Sequence, residues 1–167
     1  MTWWLGAVYP PVDGPAAHAD HVLLSTVDYL AADLVCTHVD RTGVVARTAM
    51  TARLRREPSA ADIAALSERL GPVTPVVGPP DSGRCVRFPG QEALTGILPV
   101  ADIVASSAID EVVGIGVPIT SDTSVDTRGF LRPVFAGDRL VLLVEPAAGG
   151  VPRPVEIADP HQCCGGH

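Results

Sequence analysis

The chain ends in Asp159-Pro160-His161-Gln162-Cys163-Cys164-Gly165-Gly166-His167, which places two cysteines and two histidines within seven residues. Thiolate and imidazole are the side chains that bind Zn(II) and Cu(I) most readily. Two of the 4 cysteines and two of the 5 histidines lie here, so the ligand types are concentrated well beyond an even spread. Adjacent cysteines depart from the usual zinc spacing, which keeps two or more residues between them. A complete tetrahedral site would therefore recruit Cys36 or His38, which form a Cys-x-His pair. In a regular strand those two side chains point to the same face. The candidate metal ligands are Cys163, Cys164, His161, His167, Cys36 and His38, and the expected ion is Zn(II) or Cu(I). Two other roles suit the same residues: a vicinal-disulfide or redox pair, and an inert terminal segment, since chain ends commonly fray.

Other constellations are weaker. His18 and His21 are three apart with Asp20 between them, but a histidine at a helix start is more often simply solvated. Gly114-Ile115-Gly116 lacks the third glycine of a dinucleotide loop and reads as a turn. Ser106, Ser107 and Asp110 have no Gly-x-Ser-x-Gly context, which leaves a serine hydrolase unsupported. All 12 basic residues are arginine, so Schiff-base, Walker-lysine and Ser–Lys chemistry are excluded. The lack of both Lys and Asn points to a GC-rich genome, as in a high-GC bacterium.

The elements that must position these groups fit one domain of 167 residues, long enough to bury a core without staples. Hydrophobic residues are 47% of the chain and aromatics only 4%, so the core must be built from Val, Leu, Ile and Ala. With Gly and Pro at 16 each, short elements and many turns are expected rather than a long-helix bundle. Residues 3 to 9 read as a strand ended by Pro10-Pro11. A helix follows with Asp20 as its N-cap and Leu23, Val27, Leu30 and Leu34 on one face. Val45 to Arg55 alternates, with Arg47, Arg53 and Arg55 on a wet face and Met50, Ala52 and Leu54 facing inward. The plainer reading of those arginines is a solvated sheet face; the sharper one is an anion site. Ser59 with Asp62 resembles a capping box ahead of the stripe Ile63, Leu66, Leu70, and Gly71 stops that helix.

Residues 72 to 83 read as a Pro/Gly loop and a candidate internal boundary. Cys85 to Phe88 reads as a strand and 100 to 111 as a helix. Arg139 to Glu145 is a strand with Val151 to Ile157 as its hairpin partner, held to a sheet edge by Pro152 and Pro154. The expected fold is α+β: a largely antiparallel sheet covered by two or three helices, in a domain over 1–158 with a Cys/His tail over 159–167.

Three resemblances are local. Phe130-Leu131-Arg132-Pro133-Val134-Phe135-Ala136-Gly137-Asp138-Arg139-Leu140 is similar to the late strand-turn-strand of hotdog-fold dehydratases and thioesterases, which implies a hotdog-like sheet and an acyl or carrier-bound substrate. Cys163-Cys164 is similar to the vicinal-cysteine ending of mercuric reductases, which relays a soft ion. Gly165-Gly166 resembles the diglycine of ubiquitin-like sulfur carriers, except that His167 follows it.

The net charge of −7 argues against nucleic-acid binding and against docking on anionic membranes. No stretch of apolar residues is long enough for a transmembrane helix, and the first residues lack the pattern of a signal peptide, so a cytoplasmic location is expected. A homo-oligomer is left open. The leading expectation is a small metal-binding protein with a structural or metal-transfer role; the rival is a small-molecule enzyme. A pocket with a convergent histidine or carboxylate would favour the rival.

Overall fold

The structure is a computed structural model that describes residues 2–8 and 16–158, apart from the side chains of residues 16–19, 22 and 29. The tail 159–167 and the Pro10-Pro11 pair lie outside the described residues. The elements in chain order are β1 (Trp3–Val8), α1 (Ala16–Val27), β2 (Ala32–Asp40), β3 (Arg47–Leu54), α2 (Ala60–Leu70), β4 (Val73–Pro75), β5 (Ser82–Arg87), β6 (Ile97–Pro99), α3 (Val100–Ser106), β7 (Glu111–Gly114), β8 (Ser124–Asp126), β9 (Val134–Ala136), β10 (Arg139–Glu145) and β11 (Arg153–Pro154). This is a mixed α+β, sheet-dominated architecture. One open sheet runs β11-β10-β9-β5-β2-β3-β1-β4, with β7 joined to β10, and β6 pairs separately with β8. Among the described pairs only β7 with β10 is parallel; the rest are antiparallel.

Leu34, Val35 and Cys36 are buried one after another on β2, so both faces of the sheet's centre are covered. On one face α1 and α2 pack Leu23, Val27, Leu66 and Leu70 against Leu5, Val35, Met50 and Ala52. On the other, Leu34, Cys36 and Cys85 meet Ile103, Val125, Leu131 and Leu142. Two cores on opposite faces explain how so few aromatics suffice: each layer is one aliphatic side chain deep on either side of the sheet.

Helix α2 follows the local signals. Ser59 accepts from the Asp62 N–H, Asp62 accepts from the Ser59 N–H, and Gly71 ends the helix at φ 81°. Helix α1 departs from expectation. It starts at Ala16, so Asp20 is an interior residue rather than the N-cap, and it is only 5% exposed. Tertiary ion pairs described below hold it there. The apolar stripe also splits: Leu23 and Val27 lie on α1, Leu30 in a 3-10 turn and Leu34 on β2, because Ala31 takes a left-handed conformation at φ 52° and turns the chain into the sheet.

The helix expected over 100 to 111 is shorter, since α3 stops at Ser106. The Ser106 and Ser107 hydroxyls donate back to the Asp102 and Ile103 carbonyls, and Asp110 N–H is drawn into the sheet by Leu140 O. Hydroxyls that bond to the preceding turn compete with helix continuation. The loop after α2 contains β4, which pairs with β1, and leads to β5, which pairs with β2 and β9. Among the described residues no helix is long and apolar enough to cross a membrane.

Candidate functional site

Four strands present one face at the open end of the sheet. Register places Thr74, Gly6, Thr51 and Cys36 in one cross-strand row, Val8, Ala49 and His38 in the next, and Arg47 opposite Asp40 in the last. The row positions at Gly6, Ala49 and Thr51 are small, which makes this face concave. A methyl group at Gly6 would come within 2.9 Å of Val76 Cγ1, so glycine there lets Val76 lie against the sheet as a wall. The result is a groove of about 590 Å³, walled by Pro72, Thr74 and Val76 and reaching His38, Arg41 and Arg47. Ala49 and Thr51, which strand alternation puts on the same face as Arg47, line this groove and are buried.

His38 is the group with unsatisfied chemistry. Its Nδ1 is buried and has no hydrogen-bond partner among the described residues. A buried polar atom without a partner costs about 1–3 kcal/mol, so its persistence beside a cavity calls for an explanation. Burial holds the His38 pKa below its ordinary value, with Asp40 acting in the opposite direction. The imidazole is therefore neutral near neutral pH, and one ring nitrogen can accept a proton or a hydrogen bond. Asp40 is held ionised, below the usual carboxylate range, chiefly by the Thr42 N–H at 3.0 Å and the Thr42 hydroxyl at 2.7 Å.

The arginines sort by partner. Arg53 and Arg55 of the expected cationic stripe both turn to Asp33, at 2.7 and 3.7 Å. Among the described residues Arg41, Arg47 and Arg69 are the arginines in no ion pair, and the first two line the groove. A slightly larger cavity, about 630 Å³, lies at the other end of β2, but its cations are already engaged, Arg55 with Asp33 and Arg87 with Asp28. The His38 groove is the smaller space with the more available chemistry.

Cys36 and His38 share a face of β2 as strand alternation requires, yet they serve different surroundings. Cys36 is fully buried opposite Cys85, with Sγ atoms 2.7 Å apart, whereas His38 faces the groove. The Cys85 contact and burial both push the Cys36 thiol up, so it is protonated. Cys163, Cys164, His161 and His167 lie outside the described residues, and among those described no group of three or more His, Cys, Asp or Glu is placed to hold a metal. His21 is exposed on α1.

A second polar assembly joins distant segments. Asp20 of α1 receives Arg84 of β5 in a bidentate pair and Arg132 Nε at 3.3 Å, while Arg84 also bonds Glu156 beyond β11. Arg132 lies 4.0 Å over the Phe130 ring. Sequence reading missed this assembly because its bonded members are separated by as many as 112 positions. The cue that could have found it is Asp20 itself, an acidic residue beside the apolar stripe of α1.

No protein-family model matches this chain, and the comparisons with curated proteins and with solved structures likewise return no match.

Proposed function

We propose that the chain is a small-molecule-binding protein that takes an anionic ligand with an apolar body in the groove of β1–β4. In this reading Arg41 and Arg47 meet the anionic end, Val8 and Val76 meet the body, and neutral His38 accepts a hydrogen bond or a proton from the ligand. The observation that carries it is the convergence of an unpartnered imidazole and two cations without ion pairs on one groove. Small-molecule sites are concave and largely apolar, with a few polar groups that fix orientation. A short acyl carboxylate supplies the anionic end and the apolar body, which keeps the reading within the small-molecule alternative drawn from the sequence; a hydroxyl or amide on the ligand would supply the donor for His38. The hotdog-like enzyme suggested by Phe130 to Leu140 is a finer version, and ligand binding in the groove does not depend on it.

Titration of the isotope-labelled chain with hexanoate, acetate and inorganic phosphate tests the reading. Hexanoate should shift the resonances of His38, Thr51 and Thr74 at lower concentration than acetate, and Arg47→Ala should weaken both. Shifts confined to other surfaces, or equal affinity for hexanoate and acetate, would count against it.

The tail supports a second, separate proposal. Four thiolate and imidazole ligands within His161–His167 suit about one Zn(II) or Cu(I) ion, with Cys36 closed off by Cys85 and therefore not among the ligands.

A further inference from the structure

The two halves of the nine-stranded sheet are joined by β2 and β5 alone. On one side lie β3, β1 and β4, and on the other β9, β10, β11 and β7. That seam is short: Val35 pairs with Arg87, Cys36 with Cys85 and Thr37 with Arg84, and a bulge interrupts it after Val35. The two cysteines sit at its middle. Cys85 donates its N–H to Pro133 O at 2.7 Å, on the side away from β2. In an antiparallel strand a residue's N–H and C=O point to the same side, so Cys36 and Cys85 form a non-hydrogen-bonded pair. Such pairs are the closer kind, with Cα atoms about 4.5 Å apart. That separation lies inside the range of about 4.4–6.8 Å that a disulfide spans. Both side chains are fully buried on the same face and in contact.

We propose that Cys36 and Cys85 form a cross-strand disulfide that staples the seam, made by exchange with a small-molecule disulfide of the glutathione class while β2 and β5 come together. One thiolate attacks the small disulfide, forming a mixed disulfide and releasing one small thiol. The second thiolate then displaces the other small thiol and closes the Cys36–Cys85 bond. Two protein thiols are oxidised, one small disulfide is reduced to two thiols, and the two protons given up by the cysteines end on the two released small thiols. After folding, neither thiol is accessible, and mutual contact and burial keep Cys36 protonated. The thiolate is the reactive form, so the folded dithiol exchanges slowly. The redox form present when the seam closes is the form that persists.

The test uses the full chain carrying Cys163→Ser and Cys164→Ser, which leaves only the two seam thiols and changes no residue of the sheet. One sample is unfolded in guanidinium and refolded with oxidised glutathione; a second is folded as the dithiol and then given the same reagent. The refolded sample should contain a Cys36–Cys85 linked peptide, no free thiol, and a melting temperature higher by on the order of 10 °C. The folded dithiol should stay reduced over the same exposure. Glutathione adducts or free thiols after refolding, a linked form that melts no higher than the dithiol, or equally fast oxidation of the folded dithiol would overturn the proposal.

Discussion

Asp20 and Arg84 meet through two parallel hydrogen bonds, Nη1 to Oδ1 and Nη2 to Oδ2, each 2.9 Å long. The Asp20 side chain is 7% exposed and that of its second partner, Arg132, is 10% exposed, so three charges share a poorly solvated space. Burial opposes the charge on both arginines. At Arg84 the hydrogen bonds it donates to Glu156 and Asp20 outweigh it; at Arg132 burial prevails and its pKa falls below the ordinary value. The carboxylate thus ties α1 to β5 and to the segment before β9.

Removing Asp20 should be strongly destabilising. Breaking a buried pair leaves uncompensated charge, at a cost of about 3–5 kcal/mol. Because Glu156 remains on Arg84, Asp20→Asn should fall near the lower end of that range. Urea unfolding of the variant and the parent measures the difference, and a loss below about 1 kcal/mol would show that the cluster is solvated.

His38 should titrate below its ordinary value of 6.5, because burial disfavours the imidazolium in the folded chain. A depressed folded pKa means that its contribution to stability is fully present above the unfolded value and is lost as pH falls through the folded one. Stability should therefore drop on acidification below about pH 6.5, and His38→Gln should flatten that part of the curve. Histidine ring resonances followed against pH give the pKa directly.

Gly90 should tolerate no side chain. It sits at φ 81°, and a Cβ there would lie 2.1 Å from Ser106 O, a backbone atom that cannot swing away. Strain and overpacking together should cost about 3 kcal/mol in Gly90→Ala. Gly6→Ala would press on Val76 Cγ1 at 2.9 Å while its backbone neighbour Met50 O stays at 3.7 Å, so it should displace Val76 at a smaller cost than Gly90→Ala and alter hexanoate binding. Thermal melts of the two variants separate these outcomes.

Ser59→Ala should cost about 1 kcal/mol through loss of the α2 cap. Denaturant midpoints at unchanged slope would check it.

The tail should bind about one Zn(II) or Cu(I) per chain under reducing conditions and release protons as it does so, with weaker binding at lower pH. Cys163→Ser combined with Cys164→Ser should abolish binding, while His18→Ala should not matter. Unchanged stoichiometry in the double variant would remove the tail from consideration.

What the sequence determined by itself was local. The cap at Ser59, the stop at Gly71, the Gly137 turn of the β9–β10 hairpin and the strand Arg139–Glu145 follow from backbone preferences and side-chain period, which act over a few residues. His38 and Cys36 could be named as a same-face pair for the same reason. Their separate fates were decided elsewhere: Cys36 by β5, which brings Cys85 from 49 residues away, and His38 by the small residues of β1 and β3 that hollow the face beside it. Only the tertiary structure distinguishes Arg47 from Arg53, since the two share a strand face but only one has Asp33 within reach. Asp20 shows the same limit, because a carboxylate near a helix start reads as a cap until two arginines from distant segments are folded onto it. Long-range pairing and burial set those environments, and neither is encoded in the spacing of neighbours along the chain.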